Sequence, residues 1–366
     1  MLFAAPVGTI RGERVMSPRS FRLSLALLAI ALLVAFAVPV QAKDGGVSRF
    51  ATLPSGPDQP GHPEGIAADA AGNIYAATFE FPPKPNKIHA FGPNGKLKFS
   101  ISINFSPLGM IIGSDGALWV TDFGNGRAVK FLPPFSASST PSGPPIQVCG
   151  GAGAGCGLNA FDFDGSGNLF VSDSFGGRIF KIALPTGGAV SPWFTDPLLR
   201  PGDHAFPPFG ANGLAFSADK TSLFIANTGD DRIFKLTVTP AGTPGALTAF
   251  AESVNGADGI AFDRQGRLWA CANQADELVA MNEKGRVVAR RGSFRGIDRH
   301  GAVRGLLFPA SLVLVKNAFI VTNTALALTD AKGDEPEEDV TTFTLSRVEL
   351  NGGGRDDFDE GEDGDD

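Results

Sequence analysis

The chain has 366 residues, 43% of them hydrophobic, with 47 Gly, 27 Pro and 30 Phe spread along its length and a formal net charge of −7. Such a composition excludes a collagen-like or wholly disordered chain and favours many turns and short strands in one large domain or two ordinary ones. No basic cluster is present, so nucleic acid is not an expected partner.

Residues 1–42 read as a secretory leader. Arg11, Arg14, Arg19 and Arg22 precede the apolar run "LSLALLAIALLVAFAVPV", which ends in "VQA" with Val40 and Ala42 at the small-residue positions of a cleavage site. Met16 would start a more usual leader than Met1, and the alternative to cleavage is a retained membrane anchor. Cleavage would leave no membrane span and an exported protein, periplasmic or extracellular. In such a compartment Cys149 and Cys156, which flank "GGAGAG", are placed to form a local disulfide. Cys271, in "RLWACAN", reads as a small core residue rather than a reactive thiol.

Between residues 43 and 350 the chain repeats itself. The segments "HPEGIAADAAGNIYAAT", "SPLGMIIGSDGALWVTD", "GLNAFDFDGSGNLFVSD", "GANGLAFSADKTSLFIAN", "GADGIAFDRQGRLWACA" and "FPASLVLVKNAFIVTN" each give a strand, a turn and a second strand. Third strands follow at "RAVKF", "RIFKI", "RIFKL" and "ELVAM". One residue opening each unit serves as an anchor: Glu64, Leu108, Asn159, Asn212, Asp258 and Ala310, spaced by 44, 51, 53, 46 and 52 residues. A period of this length predicts an all-β fold, a six-bladed β-propeller. The strand "SRFATL" would close the ring beside "TFTLSRVEL". Asp122, Asp173 and Asn227 recur five residues before Arg127, Arg178 and Arg232, a repetition that points to structural roles. Beyond the propeller, residues 351–366 form an acidic tail expected to be disordered; "RDDFDEGEDGDD" alone sets eight acids against one Arg, which is the charge of the whole chain.

Within the third unit, Asp162, Asp164, Ser166, Gly167 and Asp173 imitate an EF-hand calcium loop. That motif needs a helix on each side, and this stretch is flanked by strands. The loop is read as a blade turn instead. The candidate site lies with the anchors, each expected just before an innermost strand and hence in a ring at one channel mouth. Glu64, Asn159, Asn212 and Asp258 bring two carboxylates and two amides to that ring, a donor set for a hard divalent cation, calcium first, with zinc or manganese as alternatives. No His or Cys stands among them, against a zinc-type nitrogen and sulfur site. His62 and His204 lie near enough in sequence to approach the mouth, while a surface or turn role is the simpler reading.

"HPEGIA", "GANGLAFSADKTSLFIANTGDDRIFKL" and "GADGIAFDRQGRLWACAN" resemble the gluconolactonase and regucalcin (senescence marker protein) family over roughly residues 47–350, and beyond it strictosidine-synthase-like, paraoxonase-like and NHL-repeat propellers. The resemblance implies a divalent metal in the central channel, with Glu64, Asn212 and Asp258 at its ligand positions and Asn159 matching a further Asn that lines the site. It implies hydrolysis of a lactone or ester, a small-molecule substrate and a monomer, with Asp258 positioning or deprotonating water. The chain departs from the pattern at Gly157, where these gluconolactonases carry an Arg that contacts a sugar acid, and it lacks the paraoxonase-type His pair. Non-catalytic binding at the same mouth and a strictosidine-synthase-like reaction are the rival expectations.

Overall fold

The computed structural model describes residues 46–350, apart from 57–58, 60, 81–84, 185–188, 203–206 and 330. The expected leader, the acidic tail and His204 lie outside the described residues. Six four-stranded antiparallel sheets form the six blades of a β-propeller. Their innermost strands are Pro63–Ala68, Pro107–Ile112, Leu158–Phe163, Ala211–Phe216, Ala257–Phe262 and Pro309–Val315. The expected third strands appear as Arg127–Phe131, Arg178–Ile182, Arg232–Val238 and Glu277–Met281. In the last blade the outermost strand is Val47–Thr52, which pairs with Thr344–Glu349 in the register Val47 to Val348. The first strand of the propeller therefore closes the ring, as "SRFATL" foretold. Among the described residues no helix is long and apolar enough to cross a membrane.

Turn chemistry explains why the first five units fold back on themselves. Asp69, Asp115, Asp164, Asp219 and Asp263 each accept a backbone N–H two residues ahead, joining the first strand of a blade to the second. Asp164 of the EF-hand look-alike also accepts from Asn168, and Asp162 accepts from the N–H groups of Phe163 and Phe216. Its carboxylates are thus spent on the turn. Asp173 accepts from Arg178 at 2.5 Å, as Asp122 does from Arg127 at 2.9 Å through Nε. Asn227 differs: its amide donates to the carbonyls of Leu198 and Arg200, while Arg232 turns to Asp230.

The second strand of every blade is buried along its whole length, as in Ile74–Thr78 and Leu169–Asp173. Its two faces are covered by the two neighbouring blades. Each apolar core is accordingly shared: Tyr75 and Ile88 of the first blade pack with Leu118 and Phe131 of the second, and Trp269 and Leu278 of the fifth with Phe319 and Val321 of the sixth. No blade owns a core, so the ring is the unit of stability. Cys271 sits inside the core between the fifth and sixth blades, as its sequence context indicated. Cys149 and Cys156 form the expected disulfide, with Cα atoms 6.3 Å apart. Two insertions break the repeat near the last blade. A hairpin, Phe294–Ile297 with Val303–Gly305, and the segment carrying the short 3-10 turn Pro336–Asp339 share a small core of Val303, Leu307, Ala325 and Val340.

The inner strands approach one another closely. A Cβ on Gly65 would fall 1.9 Å from the Leu108 carbonyl oxygen, one on Gly109 2.0 Å from that of Asn159, and one on Gly213 2.3 Å from that of Asp258. Gly213→Ala is therefore expected to cost about 2–3 kcal/mol, seen as a lowered urea midpoint. Gly153→Ala, whose Cβ meets nothing within 4 Å, is expected to stay within about 0.5 kcal/mol of the parent.

Candidate functional site

Each anchor is the second residue of its innermost strand. Sequence reading put it one step before the strand; a bulge accounts for the difference. In every blade the pairing skips one residue at this point: Pro63 faces Thr78 but Ile66 faces Ala76, and the same shift recurs after Pro107, Leu158, Ala211, Ala257 and Pro309. A bulge inserts one extra residue and re-aims its side chain. Six bulges in one register turn six side chains to the axis, and all six anchors line a single cavity of about 60 Å³. Glu64, Asn159, Asn212 and Asp258 meet there as expected, each at most 7% exposed.

A second repeat register completes the polar floor. The residue that follows the second strand is Phe79, Phe123, Ser174, Thr228, Asn273 and Thr324 in blade order. Ser174, Thr228 and Thr324 donate hydroxyl hydrogen bonds of 2.6–2.8 Å to the carbonyls of Ala211, Ala257 and Pro63, the first residues of the next inner strands. The same hydroxyls orient the anchors: Asn212 donates Nδ2–H to Thr228 at 2.9 Å and Asn159 to Ser174 at 3.3 Å. With its nitrogen committed to a hydroxyl, each amide has its oxygen left to accept. Asn273 donates to Asp258 Oδ2 at 3.1 Å. None of these partners was singled out from the sequence. Their signal was nevertheless present, one residue beyond the recurring Asp122, Asp173 and Asn227.

The electrostatics of this floor are unbalanced. Glu64 Oε2, Asp258 Oδ1 and Asn273 Oδ1 are buried without a hydrogen-bond partner, and all three residues line the cavity. Burial, and then the neighbouring charge of Asp258, pushes the Glu64 carboxyl well above its usual range. Burial also raises Asp258 to about 7, against hydrogen bonds from Asn273, Asn212 and the Gly259 N–H that pull the other way. Two carboxylates and neutral amide oxygens that lack donors are what a hard cation satisfies, and a cavity of this volume holds an ion with a water or two. The donor set fits such an ion.

The remaining walls are apolar. Phe79, Leu108 and Phe209, which share one apolar cluster, line the cavity together with Phe308, Ala310 and Leu326. Behind Phe79 the rings continue through Phe123 to Phe175, with centroids 5.9 and 5.5 Å apart in edge-to-face geometry. Gly157 is tied down by its N–H to Asp173 Oδ1 at 2.8 Å, and a Cβ there would lie 2.9 Å from the ring of Phe123 and 3.1 Å from that of Phe175. The rings thus fill the space that an Arg at 157 would occupy. None of the three described histidines lines the cavity. His62 bonds the Thr324 carbonyl through Nδ1 at 2.9 Å and packs edge-on against Phe343. His89 is buried in the first blade against Ser100, and His300 lies exposed in a turn.

Residues 208–291, the fourth and fifth blades, match the family model of the SMP-30/gluconolactonase/LRE-like region. Asn212 and Asp258 fall inside that match, Glu64 and Asn159 outside it. No curated protein sequence matches the chain. Among solved structures the chain is similar to a luciferin-regenerating enzyme (16% identity, TM-score 0.60, covering 80% of this chain and 92% of that one). It is similar also to a gluconolactonase from Xanthomonas campestris (13%, TM-score 0.58, 83% and 89%). A third is regucalcin from Agrobacterium tumefaciens, described as a calcium-binding protein (17%, TM-score 0.57, 80% and 92%). The resemblance read from the sequence holds for the family region and for the fold.

The raised carboxylates set a pH dependence. Both groups keep their protons to higher pH when folded than when unfolded, so the folded chain binds more protons between the two states' pKa values and loses stability as pH rises. With chelator present, the melting temperature is expected to fall between about pH 4, the ordinary carboxylate range, and pH 7, where Asp258 titrates. In the double variant Glu64→Gln, Asp258→Asn most of that fall should vanish. Parallel melts of parent and variant from pH 4 to 8 check it.

Proposed function

We propose that this SMP-30/gluconolactonase/LRE-like propeller is a divalent-cation-dependent hydrolase of a lactone or related ester. One observation carries the reading: three buried oxygens without hydrogen-bond partners converge on the one cavity that all six anchors line. Glu64, Asn159, Asn212 and Asp258 would hold the ion, calcium before zinc or manganese. When bound, it supplies positive charge beside the carbonyl oxygen that becomes an oxyanion.

The chain's own residues do the rest. Asn273 grips Oδ2 of Asp258 and so fixes the carboxylate that would help hold the ion and position or deprotonate an attacking water. Thr228 and Thr324 have their hydroxyls committed to carbonyls of the next blades, so they hold the floor rigid. The apolar walls exclude bulk water from the reacting carbonyl. The name of the calcium-binding regucalcin and that of the Xanthomonas gluconolactonase support cation and reaction by analogy. Export to a periplasm or the cell exterior, where calcium is plentiful, belongs to the same proposal. The ring-lined wall of the cavity favours a second reading, a propeller that binds a ligand without turning it over.

The test loads the full chain with calcium, zinc or manganese and assays a panel of lactones and aryl esters with and without chelator. Turnover lost on chelation and regained on adding one ion is expected. Asp258→Ala should lower kcat by at least about a hundredfold while the melting curve stays cooperative. Bound metal without turnover of any panel member would favour the binding reading, and undiminished activity in Asp258→Ala would remove Asp258 from the mechanism.

A further inference from the structure

We infer that the site takes a ligand with one compact, oxygen-bearing end and an otherwise apolar body, that is, a short-chain alkyl or aryl ester or an alkyl lactone, and not a polyhydroxylated one. For the reaction this rests on the hydrolase reading; for binding it does not.

The cavity has two chemistries and they do not mix. Its oxygens stand together on the axial floor, whereas the walls are rings and aliphatic side chains. Among the described residues that line it, none is Lys, Arg or His. Among the described lining residues a sugar acid's carboxylate would find no basic side chain, only the ion of the floor. Its several hydroxyls would be pressed against Phe79, Phe209 and Phe308, which offer neither donors nor acceptors, and a buried hydroxyl without a partner loses the bonds it had in water. An alkyl or aryl body meets the opposite situation. It replaces ring-to-ring contacts with contacts of the same kind and leaves only the carbonyl end to be satisfied by the floor.

The ring wall is continuous and braced. Phe123 stands between Phe79, Phe175 and Phe209 at centroid distances of 5.9, 5.5 and 6.3 Å, and Phe175 meets Phe209 at 5.5 Å. Leu108 of the second blade and Ala152 of the disulfide-closed loop pack into the same cluster. Gly157 gives up its side chain to this wall, since any Cβ there would press on two of its rings. The open volume of about 60 Å³ is roughly that of two waters, so the floor takes only the compact end of a ligand and its body lies against the rings. Phe79, Phe123 and Phe175 follow strand ends within their blades. Phe209 stands on the loop before Ala211–Phe216, held by backbone bonds to Pro207 and Gly229, and lines the cavity, so it is the ring set against the ligand's body.

The experiment uses the full chain with calcium present and two readouts. Hydrolysis is followed for 4-nitrophenyl acetate, butyrate and hexanoate, for δ-nonalactone and for glucono-δ-lactone; binding of the two lactones is followed by thermal shift. Each added methylene is expected to raise kcat/KM about three- to fourfold, with glucono-δ-lactone at least about tenfold below δ-nonalactone. Phe209→Ser should shrink the butyrate-to-acetate ratio at least threefold, a change of ratio that a general loss of folding would not produce. A flat acyl series in the parent chain, or glucono-δ-lactone turned over as well as δ-nonalactone, overturns the inference and leaves the hydrolase reading standing. If nothing is hydrolysed, the hydrolase reading falls and binding decides. A melting temperature raised by δ-nonalactone and not by glucono-δ-lactone supports the inference; one raised by the sugar lactone, or by neither, overturns it.

Discussion

Everything at the centre of this molecule depends on how near six inner strands can come to one axis. Where a glycine follows the anchor, as at Gly65, Gly109, Gly213 and Gly259, the neighbouring anchor's carbonyl oxygen occupies the place of a Cβ. Such an approach leaves no room for two regular strand edges side by side. The bulge at each anchor relieves the crowding and, in doing so, points one side chain per blade inward. Packing and site are therefore a single device. The same extra residue that lets the blades close also delivers Glu64, Asn159, Asn212 and Asp258 to the axis.

That device carries an electrostatic cost. Two carboxylates are brought together out of water, and burial drives both toward their protonated forms. Hydrogen bonds from Asn273, Asn212 and Gly259 offset part of this for Asp258, while Glu64 Oε2 receives none. A scaffold selected only for stability would have apolar anchors throughout, as Leu108 and Ala310 already are. The four oxygen-bearing anchors are the departure from that pattern, and the interlocked cores between blades hold them in place against their mutual repulsion.

Much of this was legible in the sequence because a propeller writes the same local physics six times. The strand, turn and strand of each unit, with an Asx turn in the first five, are set by neighbours a few residues apart, so blade count, closure by the strand at Val47 and the six-anchor ring could all be read from one register. The EF-hand look-alike could be dismissed for the same reason: Asp164 stands at the turn position of Asp69 and Asp263. What escaped was whatever depends on distance across blades. Nothing local to Thr228 shows that its hydroxyl reaches Ala257, or that Phe175 and Phe123, from different blades, close over Gly157. The bulge was also invisible, because it is forced by crowding at the axis and not by the residues that form it. It moved the anchors from before their strands to the second place within them.

Closure by the first strand has a temporal side as well. Val47 pairs with Val348, so the last blade lacks its outer strand until the two extremes of the propeller meet. During synthesis the ring grows as an arc with a raw sheet face at each end, the first blade lacking its neighbour on one side and the newest blade on the other. Contacts this distant in the chain form slowly, and unpaired faces and edges are where chains associate wrongly. Completion is consequently an all-or-none event that comes last. The polar floor draws its members from the first, third, fourth and fifth blades, so it is assembled only when those blades stand in one ring.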